Sequence, residues 1–203
     1  MKILLIHASA GAGHTKAAEA IYDVLKKNPR QTVTLIDSLE YTNRFFGKLY
    51  RWGYSFLVTK MPAVWGIFFV FVDLPFLQGT VRFLRRVVNG INAKALNRFV
   101  ITGDFDWVIV THFLAAEVMG FLKRKGLLRT KLMIVITDFD VHRIWLSYGV
   151  DYYAVACEDT KEKLKKLGVM EERIIVSGIP THQKFLENRN RDGRNSKKIK
   201  KEK

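Results

Sequence analysis

Three stretches of strand length are apolar without interruption: Ile3-Leu4-Leu5-Ile6, Trp107-Val108-Ile109-Val110 and Leu132-Met133-Ile134-Val135-Ile136. A strand wetted on one face alternates apolar with polar residues. An unbroken run is covered on both faces, which is the condition of a parallel sheet with helices on either side. Helical segments separate the runs. Thr15 to Lys27 places Ala18, Ile21, Tyr22 and Leu25 at helical spacing, and Ala115 to Lys125 and Thr160 to Leu167 follow the later strands. Thr32 to Asp37, Asp151 to Ala156 and Arg173 to Ser177 complete the alternation. The expected fold class is α/β, a doubly wound parallel sheet in one domain over residues 1–188.

In such a sheet, ligands bind beyond the carboxyl ends of the strands, and several runs here end in polar groups. The first leads through His7 and Ser9 into the turn Gly11-Ala12-Gly13-His14, the next ends at His112, and the third at Asp138 with His142 close behind. A helix beginning at about His14 offers unpaired N–H groups and a positive dipole end, and glycines let a ligand approach the backbone. His14 is the candidate general base, because a helix N-terminus disfavours the imidazolium and leaves a neutral imidazole near neutral pH. Asp138 is either an N-cap or a carboxylate aimed into the crevice, and His112 either caps the following helix or lines the site. Gly11, Gly13, His112 and His142 are the candidate substrate-binding positions, and His7 is read as structural. His14, His112 and His142 lack ligand spacing, so no metal site is expected. Asp37 ends the second strand where a ribose-binding acid would stand, but Gly-Ala-Gly-His lacks the third glycine of a dinucleotide fingerprint.

The formal charge is +15, from 34 Lys or Arg against 19 Asp or Glu. Residues 189–203 hold eight cations and two acids and form a basic tail, leaving +9 on the body. An anionic partner is expected, and with no nucleic-acid motif present it is a membrane surface. Cys157 is the sole cysteine, which excludes an internal disulfide and points to a reducing compartment.

Between about residues 41 and 100 the chain is dense in aromatics. Ala63 to Val72 is apolar on every side and flanked by Lys48, Arg51 and Lys60 before it and Arg82, Arg85 and Arg86 after it. About ten residues cannot span a bilayer, which takes about 20. The combination suits a segment lying in the interface, with Trp52, Trp65, Phe68 and Phe69 at headgroup depth and Arg82, Arg85 and Arg86 on lipid phosphates. The alternative is a helix pair packed as core. Thr80 to Val100 is expected to continue as one amphipathic helix.

Gly11 to Ala18, Thr137-Asp138-Phe139 with His142-Arg143-Ile144-Trp145 and Val150-Asp151-Tyr152-Tyr153, and Gly178-Ile179-Pro180 with Phe185 recur in order across residues 2–186. Together they resemble the N-terminal domain of the monogalactosyldiacylglycerol synthase and processive diacylglycerol glucosyltransferase family. Tyr50, Tyr54, Lys60, Pro62 and Trp65 resemble that family's membrane-docking region. The resemblance implies a Rossmann-like sheet forming the N-terminal half of a GT-B glycosyltransferase. It further implies an inverting UDP-sugar:diacylglycerol hexosyltransferase, peripheral on the cytoplasmic face of a membrane. The lipid acceptor belongs to this half, and the UDP-sugar, a co-substrate rather than a cofactor, to a C-terminal domain. His14 matches the glycine-loop histidine, general base or acceptor-positioning group, and Asp138 the acid of the Thr-Asp motif. Ser147 stands where the family commonly has histidine. After Asn188 no donor-binding domain is read, so the chain is expected to be inactive alone, as a truncated product or with a separate donor-binding subunit. A non-catalytic lipid- or partner-binding module remains the alternative.

Overall fold

A computed structural model describes residues 1–64, 66–67, 74–77, 79–81, 83, 88 and 92–182. The runs read above are strands of one six-stranded sheet, parallel at every pairing, in the order β2-β1-β3-β4-β5-β6. They are β1 (Lys2–His7), β2 (Thr32–Asp37), β3 (Trp107–Val110), β4 (Lys131–Val135), β5 (Tyr152–Val155) and β6 (Ile174–Val176). The helices with described bounds are α1 (Ala12–Leu25), α2 (Arg44–Lys60), α3 (Lys94–Thr102), α4 (Phe113–Arg124) and α5 (Glu158–Lys166).

The period of two along each strand divides the core in two. Leu4, Ile6, Val108, Val110, Leu132 and Ile134 face one way and pack with Leu96 and Val100 of α3, Met119 and Leu122 of α4 and Leu164 of α5. Ile3, Leu5, Ile109, Val135 and Ala154 face the other way, with Ile21, Tyr22 and Leu25 of α1 against them. Helices therefore cover both faces, and the sheet is the doubly wound, Rossmann-like one expected. Ile6, Val110 and Ile134 are in register, so the chain leaves β1, β3 and β4 at one level. β2 lies to one side of β1 and β3 to the other, which makes the end of β1 the topological switch point.

One expected element is divided. The helix read over Thr80 to Val100 is broken at Ala93, which is not helical and precedes α3 at φ −93° and ψ 9°. Ala93 is buried against the sheet with Leu96. The amphipathic repeat survives the break because packing, rather than helix continuity, sets which residues turn inward.

A third, smaller apolar cluster lies under the first turn. Ala8, Ala10 and Leu39 are buried in it, closed over by Tyr50 and Tyr54 of α2 and by Leu114. Asp37 organises the adjoining chain: its Oδ1 accepts the N–H groups of Ser9 at 3.1 Å and Leu39 at 3.0 Å.

Candidate functional site

The turn after β1 enters α1 through Gly11, whose φ of 143° and ψ of 135° favour glycine. No side chain caps α1, and the helix begins at Ala12, two residues before the expected start. His14 falls in its first turn. The carbonyl of His14 accepts the Thr111 hydroxyl at 3.0 Å, a buried bond that ties α1 to the end of β3. Its imidazole Nδ1 is 2.8 Å from the Thr137 hydroxyl at the end of β4. Residues 123 positions apart are thus joined by the register of three strands.

His14 is 9% exposed. Burial lowers its pKa, opposed by the negative charge of nearby Asp138 and by a hydrogen bond of the ring to the Thr111 backbone. Asp138 caps no helix. Its Oδ2 accepts the indole N–H of Trp145 at 3.1 Å, and Trp145 is itself fully buried, its ring 6.0 Å from that of His14. The N-cap reading of Asp138 is not realised, and its charge acts on His14.

Of its two readings, His112 takes that of the helix cap and is fully buried. As N-cap of α4, its Nδ1 accepts the Leu114 N–H at 3.1 Å. That bond fixes the neutral tautomer with its proton on Nε2, which is buried without a partner. The ring stands edge-on to His14 with centroids 4.8 Å apart. Full burial holds its pKa well below the ordinary value, and the neighbouring His14 and His7 lower it further. His7, whose Nδ1 meets the Thr15 hydroxyl at 3.3 Å, is also lowered by burial. His142 caps the short 3-10 turn Arg143–Trp145 through its backbone alone, not through its side chain. A Cβ on Gly13 would meet nothing within 4 Å, so this side of α1 is open. Among the described residues no group of three or more His, Cys, Asp or Glu is placed to hold a metal ion.

The sequence placed Tyr50 and Tyr54 with a membrane-docking region and Arg51 among its flanking cations, whereas the structure turns all three onto the first turn. Tyr54 of α2 lies over Gly11: a Cβ there would stand 3.1 Å from its hydroxyl and 3.4 Å from its ring. Burial raises the pKa of Tyr54, and the Asp138 charge raises it further. Arg51 donates from Nη1 to the Ser9 hydroxyl at 3.2 Å and stands 4.0 Å from Asp37. Thr137 and Trp145 stood within the quoted motifs without a role. The available signal for Tyr50 and Tyr54 was their four-residue spacing, which sets them on one face of α2.

The opposite face of α2 is exposed. Phe45, Leu49, Trp52 and Phe56 form a solvent-facing stripe, with Trp52 64% exposed and stacked on Phe56. Arg44, Lys48 and Lys60 are exposed beside it, and no acid occurs from Arg44 to Lys60. Trp65, Phe68, Phe69, Arg82, Arg85 and Arg86, expected at a membrane, lie outside the described residues. Among the described residues no helix is long and apolar enough to cross a membrane.

The family model described as monogalactosyldiacylglycerol (MGDG) synthase matches residues 14–181, from the site histidine to the end of the described chain. The chain belongs to the MGDG synthase family. Among its relatives, the processive diacylglycerol beta-glucosyltransferase of Bacillus licheniformis is 26% identical over 192 residues, which are 94% of this chain and 48% of the relative. That of Bacillus subtilis strain 168 is 27% identical over 188 residues, 92% of this chain and 47% of the relative. The chain thus spans about half the length of the curated relatives it matches. A solved lipopolysaccharide outer core galactosyltransferase in its apo form aligns at a TM-score of 0.49 and 16% identity, over 87% of this chain and 45% of its own.

Proposed function

We propose that this chain is the acceptor-binding half of a membrane-associated glycolipid glycosyltransferase, moving a hexose from a UDP-sugar to diacylglycerol with inversion. The observation that carries the reading is His14: buried, favoured in its neutral form, bonded to Thr137 and beside Asp138 in a member of this family. In the tautomer that donates Nδ1–H to Thr137, Nε2 keeps the lone pair. It takes the acceptor's hydroxyl proton as that oxygen attacks the anomeric carbon, and UDP leaves from the opposite side. A single displacement inverts the centre. Asp138 stabilises the imidazolium that forms, and Trp145 holds Asp138 in place. Gly13 leaves this side of α1 open to an oxygen of the substrate, Gly11 lies under Tyr54, and His112 backs the His14 ring. The UDP-sugar is bound by a second domain facing the carboxyl edge, in continuation of this chain or in another subunit.

The lipid arrives at α2. An exposed apolar stripe with Arg44, Lys48 and Lys60 alongside suits anionic headgroups on the cytoplasmic face of a membrane. Diacylglycerol is taken as the acceptor because the Bacillus relatives are diacylglycerol beta-glucosyltransferases. Two experiments test the reading. Sedimentation with phosphatidylglycerol-containing vesicles tests the membrane part, and a chain left in the supernatant refutes it. Reconstitution with the donor-binding half of a Bacillus relative tests the chemistry: His14→Ala is expected to lower restored turnover by about 10²–10⁴-fold. Activity surviving both His14→Ala and Asp138→Ala would instead make the domain a binding module.

A further inference from the structure

α2 has two working faces about half a turn apart. At about 100° per residue, Phe45, Leu49, Trp52 and Phe56 fall on one side and Gly47, Tyr50, Arg51 and Tyr54 on the other. The outer side is exposed. The inner side forms the floor of the His14 turn. Tyr54 covers Gly11, Arg51 holds Ser9, and Ala8 and Ala10 are buried under Tyr50 and Tyr54. The Tyr50 ring also stands edge-on to His112, with centroids 6.4 Å apart. This small cluster is separate from both sheet cores, and α2 supports the turn from below through it.

We propose that Tyr54 is a positioning residue that couples lipid docking of α2 to the order of the turn Ala8–His14. The proposal rests on the reading above, in which the outer stripe meets an anionic lipid surface. Burying that stripe at headgroup depth restrains α2 against the small cluster it shares with the turn. The turn shares the cluster, so its opening is suppressed with it. By linkage the effect is reciprocal: a ligand that orders the turn tightens membrane binding by the same factor. The acceptor site is therefore best formed where the lipid acceptor is found.

The test is amide hydrogen exchange on the full chain, with and without vesicles of phosphatidylcholine and phosphatidylglycerol, sedimentation being read on the same samples. Exchange of the amides at residues 9–14 is expected to slow by about tenfold on vesicles, within the usual range of coupling between sites. Tyr54→Ala should sediment like wild type and show no vesicle-dependent slowing. Tyr54→Phe, which keeps the ring over Gly11, should restore it. A purely structural role would change exchange equally with and without vesicles. Wild type that sediments without slowing of the turn overturns the coupling and leaves the membrane reading standing. Slowing that persists in Tyr54→Ala overturns the role of Tyr54. Wild type that does not sediment removes the membrane reading and the coupling with it. Should Tyr54→Ala fail to fold, the wild-type comparison decides, with Trp52→Ala/Phe56→Ala as the surface control: substituted away from the turn, it should lose sedimentation and slowing together.

Discussion

Mild acid should destabilise this domain before its carboxylates titrate, because histidines are held neutral inside it. His112 is fully buried with a pKa well below the unperturbed 6.5, and His14 and His7 are lowered by burial as well. Below that value the unfolded chain binds protons that the folded chain excludes. The stability contributed is complete above the unfolded pKa and is lost as pH falls through it, by about 1.4 kcal/mol per pH unit per group until the folded pKa is reached. Between about pH 7.5 and pH 5.5, His112 alone accounts for about 1.4 kcal/mol, and the upper bound with all three neutral is about 4 kcal/mol. A domain is stable by about 5–15 kcal/mol, so the effect is measurable. With a urea slope of about 2 kcal/mol/M, the midpoint should fall by about 0.7–2 M.

The assay is urea unfolding followed by circular dichroism across this pH range, on wild type and His112→Asn. Asparagine is a good N-cap and can replace the bond to Leu114, while removing the titrating group. Whatever its stability at neutral pH, the variant should lose about 1.4 kcal/mol less than wild type on acidification. Equal losses in the two proteins would refute the assignment of His112 as a buried neutral group that drives acid unfolding.

Three further substitutions probe the frame around the site. Asp37→Ala leaves the Ser9 and Leu39 N–H groups without their acceptor and should cost about 2–4 kcal/mol in denaturant unfolding, with Asp37→Asn recovering part. Gly11→Ala places a Cβ at a φ of 143° and 3.1 Å from the Tyr54 hydroxyl, and should cost about 1–3 kcal/mol. In a Tyr54→Ala background only the backbone part of that cost should remain, so a double-mutant cycle with no coupling would disprove the contact. Gly103→Ala brings a Cβ to 2.1 Å from the buried Phe105 ring, and a loss of about 1–3 kcal/mol is expected by thermal melting, because the ring has little room to move.

The sequence by itself determined the sheet. Unbroken apolar runs at Ile3–Ile6, Val108–Val110 and Leu132–Ile136 can be satisfied only by cover on both faces, and the alternation with helices then dictates parallel strands. It also determined that His14 and Asp138 arrive at one edge, because each lies in the segment that leaves the carboxyl end of a strand. What the sequence left open was decided by packing at long range. From Tyr41 to Leu77 apolar residues occupy every side of the helical repeat, so periodicity could not say which aromatics face inward. The tertiary structure turns Tyr50 and Tyr54 onto the first turn and leaves Phe45, Trp52 and Phe56 outside. The bonds of His14 to Thr111 and Thr137 span 97 and 123 residues, and only the register of β1, β3 and β4 brings them together. Local pattern fixes what a segment becomes; which side chains meet depends on strand order and on the face each helix turns inward, and neither is encoded within a segment.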